Sequence, residues 1–181
     1  MNKQSITEIS HLYLKNIIEP TDIIIDATMG HGFDTVFIAK YAKHVFAFDI
    51  QQQALDATNL KIKDEKINNV TTILDSHLNF DQYVKSFQGV IFNLGYLPQG
   101  DKTITTKAET TLLTIQKMLI ELSSKGFMML VVYMGHPEGY QEHETISNYI
   151  KTLDPKQFKI IKTDLPYQDN YPPYILWITK L

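Results

Sequence analysis

The stretch Asp26-Ala27-Thr28-Met29-Gly30-His31-Gly32-Phe33-Asp34-Thr35 carries the strongest chemical signal in the chain. An acid is followed four and six residues later by glycines, and then by a helical pattern. Glycine admits positive φ and lets a ligand approach bare backbone. A turn built for pyrophosphate wants a third glycine and no acid. Here Thr35 occupies the third position, and Asp26 would repel phosphate. A ligand with positive charge suits the turn better. Asp49, followed by Gln51, lies near the spacing of about 20 residues at which a carboxylate meets ribose hydroxyls. A third candidate strand end reads Asp75-Ser76-His77. Each polar group is, by itself, also what a solvated loop would hold. In this order they mark one crevice at the carboxyl edge of a sheet, where open α/β folds bind ligands.

Two further loops extend the crevice. Asn93-Leu94-Gly95-Tyr96-Leu97-Pro98-Gln99-Gly100-Asp101-Lys102 offers an amide, an aromatic, an acid and a base. Tyr133-Met134-Gly135-His136-Pro137-Glu138-Gly139 offers a phenol and an imidazole. His136 suits acid/base work or substrate clamping, and it equally suits a polar surface. Asn170-Tyr171-Pro172-Pro173-Tyr174 adds aromatics able to stack on bases or to cover the core. His136, Glu138, Glu142 and His143 look like metal ligands. Pro137 and Gly139 are read as breaking the helical register that a ligand pair needs, so no metal is expected.

Elements that alternate in type must position these groups. Ser5-Ile6-Thr7-Glu8 is a capping box ahead of a helix ended by Pro20. Strands are expected at Ile23–Ile25, His44–Ile50, Val70–Leu74, Val90–Leu94, Phe127–Tyr133, Phe158–Thr163 and Tyr174–Thr179. Helices are expected at Phe33–Tyr41, Gln51–Leu60, Phe80–Phe87, from about Thr106 to a glycine cap at Gly126, and at Tyr140–Leu153. Alternation implies parallel pairing with right-handed crossovers. Asp164–Pro173 is too short and too irregular for a crossover helix, so the last two strands should form an antiparallel hairpin. The expected fold is thus α/β, with seven mostly parallel strands and a terminal antiparallel hairpin.

The 181 residues, 44% of them hydrophobic, suit a single domain over 1–181. No cysteine is present, which excludes disulfides and thiolate chemistry. All 17 basic residues are lysine, so a phosphate contact must use an ammonium rather than a guanidinium fork. No apolar run approaches the roughly 20 residues of a membrane span, and a cytoplasmic protein is expected. The net charge of −3 advertises no nucleic acid. Lys102 and Lys107 nevertheless sit near the crevice, whereas Lys61, Lys63 and Lys66, and Lys151, Lys156, Lys159 and Lys162, read as solvated faces.

The glycine turn resembles the Asp-x-Gly-x-Gly-x-Gly motif of Rossmann-like class I methyltransferases, with Thr28 at the first glycine. Asn93 with Tyr96 resembles the Asn/Asp-Pro-Pro-Tyr motif of amino-group methyltransferases. Together with Tyr133–Gly139 and Asn170–Tyr174, these stretches resemble one bacterial family: the tRNA wobble-uridine 5-aminomethyl-2-thiouridine methyltransferases, long labelled rRNA methylases. His31 stands where that family usually has Asn, and Gln99-Gly100 where it has Gly-Gly. The resemblance implies S-adenosyl-L-methionine as cofactor and a tRNA anticodon stem-loop as partner, with a homodimer as one way to pool sparse basic surface. It implies cofactor contacts from Asp26, Thr28, Gly30, Gly32, Asp34, Thr35, Asp49, Gln51, Asp75, Ser76, His77 and Asn93. Asn93, Tyr96, Asp101 and His136 would surround the reacting amine. Tyr96, Lys102, Tyr133, His136 and Tyr171 would hold the substrate. Asp101 or His136 would take the amine's proton, unless desolvation beside the sulfonium lowers the amine's pKa. A methyltransferase acting on rRNA or a small amine, and a non-catalytic nucleotide- or RNA-binding module, are the alternatives.

Overall fold

The computed structural model describes residues 5–95, 107–169 and 171–181. Seven strands form one sheet: β1 Ile23–Asp26, β2 His44–Asp49, β3 Val70–Leu74, β4 Gly89–Asn93, β5 Phe127–Val132, β6 Phe158–Thr163 and β7 Tyr174–Lys180. Their order is β3-β2-β1-β4-β5-β7-β6. β1 to β5 pair in parallel, and β7 lies antiparallel between β5 and β6. This is the fold of the class I methyltransferases, and the order of the strands reverses at the β1–β4 pair while their direction stays parallel. The carboxyl ends of β1, β2 and β4 therefore open onto one crevice.

Among the described residues, five helices cover the sheet: α1 Ile6–Ile17, α2 Phe33–Ala39, α3 Gln52–Asp64, α4 Ala108–Glu121 and α5 Pro137–Ile150. Alternation along the strands splits the core. Ile24, Val45, Ile91, Met129 and Ile175 pack with α1 and α2 on one face. Ile25, Phe48, Val90, Phe92, Leu130 and Leu176 pack with α4 and α5 on the other. β5 is buried at every position, as its unbroken apolar run requires. The capping box forms: the Glu8 amide donates to Ser5 Oγ at 3.2 Å, and the Ser5 amide donates to Glu8 Oε2 at 2.7 Å.

Three expectations need correction. The helix expected over Phe80–Phe87 is instead a 3-10 helix at His77–Gln82. Ser76 starts it by accepting from the Leu78 amide, and Phe80, Val84 and Phe87 reach the core from a turn whose spacing imitates a helix. α5 begins at Pro137 rather than Tyr140, because His136 caps it and proline is welcome in the first turn. The proposed break in register at Pro137 and Gly139 therefore does not occur. Finally, Gly126 is no helix cap, since α4 ends at Glu121. A Cβ at Gly126 would lie 2.7 Å from the Ser123 carbonyl oxygen and 2.8 Å from that of Gln88, so glycine serves close backbone approach.

Candidate active site

The glycine turn is built on buried carboxylate chemistry. Asp26 ends β1 fully buried and accepts from Thr35 Oγ1 at 2.6 Å and from the Thr28 amide at 3.2 Å. Burial, then the neighbouring Asp34, pushes its carboxyl up to about 7 against the bonds from Thr35 and Thr28. Asp26 and Thr35 lie beneath the turn and are not part of the cleft wall. Gly30 and Gly32 take φ of 48° and 75°. A Cβ on Gly32 would lie 2.8 Å from Thr58 Oγ1, and that hydroxyl donates to the Gly30 carbonyl oxygen at 3.0 Å.

Asp49, at the end of β2, receives the Gly30 amide on Oδ2 and the Gln51 amide on Oδ1, each at 3.0 Å. Burial raises its pKa, with the amide bonds working the other way. The backbone amides of Gly30, Ile50 and Gln51 fix this carboxylate and still leave it acceptor capacity. Asp75 accepts from the Ser76 amide, from Asn79 and from Tyr83 Oη. Burial works to raise its pKa, but those bonds outweigh it and the net shift is downward. His77 sits against the edge of Phe92 and faces Thr114 Oγ1 at 2.9 Å. Burial lowers its pKa to about 4, so it is neutral near pH 7.

At the end of β4, the Asn93 amide nitrogen donates to Thr28 Oγ1 at 2.7 Å. Its side-chain Nδ2 donates to Asp34 Oδ2 at 3.0 Å. The other Asp34 oxygen faces His11 Nε2 at 2.6 Å. Tyr133 bonds to Thr7, and burial raises its phenol pKa. Helix α1 thus reaches the crevice through Thr7 and His11, neither of which the sequence had marked. His11 belongs to no local motif, and only the packing of α1 beside α2 brings it to Asp34.

His136 accepts the Gly139 amide on Nδ1 at 2.8 Å. A Cβ at Gly139 would lie 2.2 Å from both His136 Cε1 and the Tyr133 carbonyl oxygen, so glycine is needed for this cap. Glu142 is buried and accepts from Thr111 Oγ1 at 2.6 Å, while His143 Nδ1 faces Tyr174 Oη at 2.7 Å. These two side chains serve α5 packing, and no group of three potential metal ligands occurs among the described residues.

The cleft spans about 1500 Å³. Thr28, Gly30, Asp34, Asp49, Gln51, Asp75, Ser76, His77, Asn93, Tyr133, His136 and Tyr171 all line it. Phe33, Ile50 and Lys107 line it too, with Phe33 and Ile50 exposed. Tyr96, Asp101 and Lys102 lie outside the described residues. No helix among the described residues is long and apolar enough to cross a membrane.

The chain is 36% identical, with a TM-score of 0.94 and full coverage of both chains, to a Clostridium thermocellum structure described as a "putative rRNA-methylase". It is 40% identical, with a TM-score of 0.91 and full coverage of both chains, to a Streptococcus mutans "putative methyltransferase" solved in complex with SAH. Over 163 residues it is 32% identical to the chloroplastic tRNA (mnm(5)s(2)U34)-methyltransferase of Arabidopsis thaliana. That alignment covers 81% of this chain, which spans only 59% of the plant protein's length. Residues 45–179 match the family described as "Putative rRNA methylase", and the chain belongs to that family.

Proposed function

We propose that this chain, an S-adenosylmethionine-dependent methyltransferase, methylates the primary amine of 5-aminomethyl-2-thiouridine at the tRNA wobble position. The observation that carries this reading is the fixed amide of Asn93. Its Nδ2 is held by Asp34, so the planar group presents Oδ1 on its opposite edge, in a residue that lines the cleft beside the glycine turn. A carbonyl oxygen placed there accepts a hydrogen bond from an amine and turns the nitrogen lone pair away from itself. The plant relative's name gives the acceptor its identity.

The donor set fits S-adenosylmethionine. Asp49 keeps lone pairs for ribose hydroxyls, and Ile50, Phe48 and neutral His77 offer an apolar pocket with polar edges to an adenine. Carboxylates rather than cations surround the turn, which suits a ligand bearing an ammonium and a sulfonium. When bound, that cofactor supplies an electrophilic methyl group on a positively charged sulfur. Asp26 and Thr35 hold the turn, and Thr28 ties it to β4 through the Asn93 backbone.

The amine must reach the methyl group neutral. His136 spends Nδ1 on the α5 cap, so that nitrogen is not offered to the amine's proton, and the residue lines the cleft. We therefore give His136 a role in holding substrate. The proton leaves to Asp101, or to water as desolvation beside the sulfonium lowers the ammonium's pKa. Alignment supplies most of the rate, because a methyl transfer develops little charge for the protein to stabilise. Tyr171, Tyr133 and Lys107 on the cleft wall would hold the anticodon loop, together with Tyr96 and Lys102.

Nucleoside mass spectrometry of bulk tRNA from cells lacking the gene tests the reading. Aminomethyl-thiouridine should accumulate and its methylated form should vanish. An unchanged wobble nucleoside would overturn the tRNA assignment and direct the search to rRNA and small amines.

A further inference from the structure

We propose that His11 is a positioning residue for the acceptor amine, acting through Asp34 on Asn93. The proposal rests on the reading that Asn93 receives an amine. Three elements meet at one carboxylate: Asp34 lies in the first turn of α2, Asn93 at the end of β4 and His11 in the middle of α1. The Asp34 side chain is 10% exposed and uses both oxygens, Oδ1 on His11 Nε2 at 2.6 Å and Oδ2 on Asn93 Nδ2 at 3.0 Å.

A carboxylate only accepts, so the imidazole nitrogen facing it carries a proton in either charge state of His11. His11 is not part of the cleft wall and so does not touch substrate there. Its ring stacks on Phe37, with centroids 3.9 Å apart and planes 8° apart. The stack fixes the direction of the Nε2 donor, and the donor fixes one oxygen of Asp34. The second oxygen then has one orientation to offer Asn93. Were that carboxylate free to rotate, the Asn93 amide could flip and turn a donor, instead of an acceptor, toward the amine. A charge-assisted bond of this kind, at low exposure, suppresses that rotation.

Two substitutions separate the donor from the stack. His11→Phe keeps a flat ring on Phe37 and loses the donor, whereas His11→Gln keeps an N–H donor and loses the ring. The expected result is that His11→Phe lowers kcat on tRNA by about tenfold to a hundredfold and leaves the SAH dissociation constant within about twofold. His11→Gln should recover most of the rate. In amide NMR spectra the Asn93 side-chain signals should move in His11→Phe and stay in place in His11→Gln. Equal rates for His11→Phe and the unaltered protein would overturn the proposal, as would unmoved Asn93 signals. The ring nitrogens of His11 in the unaltered protein give a readout independent of folding of the variants: a proton on Nε2 is expected, and a bare Nε2 would overturn the proposal. The NMR measurements need no methyl transfer. Failure of the unaltered protein to methylate tRNA would therefore strike the acceptor assignment alone.

Discussion

Asp26, buried under the cleft, and His77, half-buried in its wall, are ionisable groups that act on stability in opposite directions. The folded-state pKa of Asp26 is raised from 3.8 to about 7. Between those values the folded protein holds a proton that the unfolded chain has released. Its contribution is thus complete below pH 3.8 and is lost as pH rises through 7. His77 is lowered from 6.5 to about 4, so the unfolded chain holds the extra proton, and stability is lost as pH falls through that window. Below pH 6.5 the two slopes offset each other, and the wild-type profile alone hides both. Urea unfolding of Asp26→Asn and His77→Gln beside the parent from pH 4 to 8 resolves them. Stability of the parent relative to Asp26→Asn should fall with rising pH, and relative to His77→Gln it should rise. A flat first difference would mean that Asp26 ionises as an ordinary carboxyl. The sequence marked Asp26 as an acid at a strand end, which is right. It could not tell a carboxylate facing a ligand from one that holds Thr28 and Thr35 beneath the turn, because both need the same residue at the same place. His11 left no local trace at all, since its partners stand 23 and, through Asp34, 59 positions away along successive links.

Helix α1 shows the same division one level up. Its start was legible because a capping box is a local code, readable from Ser5 and Glu8 alone. Its purpose was not, because the seating of Ser10 and Leu14 against the sheet depends on which strands end up central. Elements with mixed signals were misread for a physical reason. Pro137 and Gly139 look like breakers in a string of letters, yet a proline at the first helical position loses no hydrogen bond. The Phe80–Phe87 spacing looks helical, yet the Ser76 cap starts a tighter turn earlier. If α1 brings His11 and Thr7 to the crevice, loosening its first turn should affect the site more than the fold. Ser5→Ala removes one half of the capping box and should cost about 1 kcal/mol. Amide exchange at Glu8 should quicken, exchange in β1 and β4 should not change, and kcat should drop while SAH affinity holds. An unchanged kcat with a clearly frayed first turn would mean that α1 serves the site only through its later turns.

At the scale of the whole molecule, the proposed tRNA substrate has to be reconciled with an acidic protein. Net charge of −3 gives no general attraction, so any phosphate contact must be local to the cleft. Lys107 is exposed, lines the cleft and directly precedes α4. Its side chain makes no cap bond to that helix, so shortening it removes charge without removing a helix cap. Lys156 is exposed in the turn before β6, well away in sequence from every residue of the cleft wall. The two lysines thus test whether RNA reads the cleft mouth or the protein's charge as a whole. Removing one lysine–phosphate pair should lower the slope of log affinity against log salt by about 1. Lys107→Ala should therefore raise KM for an anticodon stem-loop and flatten that slope, with SAH binding unaltered. Lys156→Ala should change none of these quantities. Equal effects from both would mean that diffuse charge, not the cleft, holds the RNA. No effect from either would leave stacking on Tyr171 and backbone contacts to carry the affinity, and the parent's own salt dependence would then be shallow.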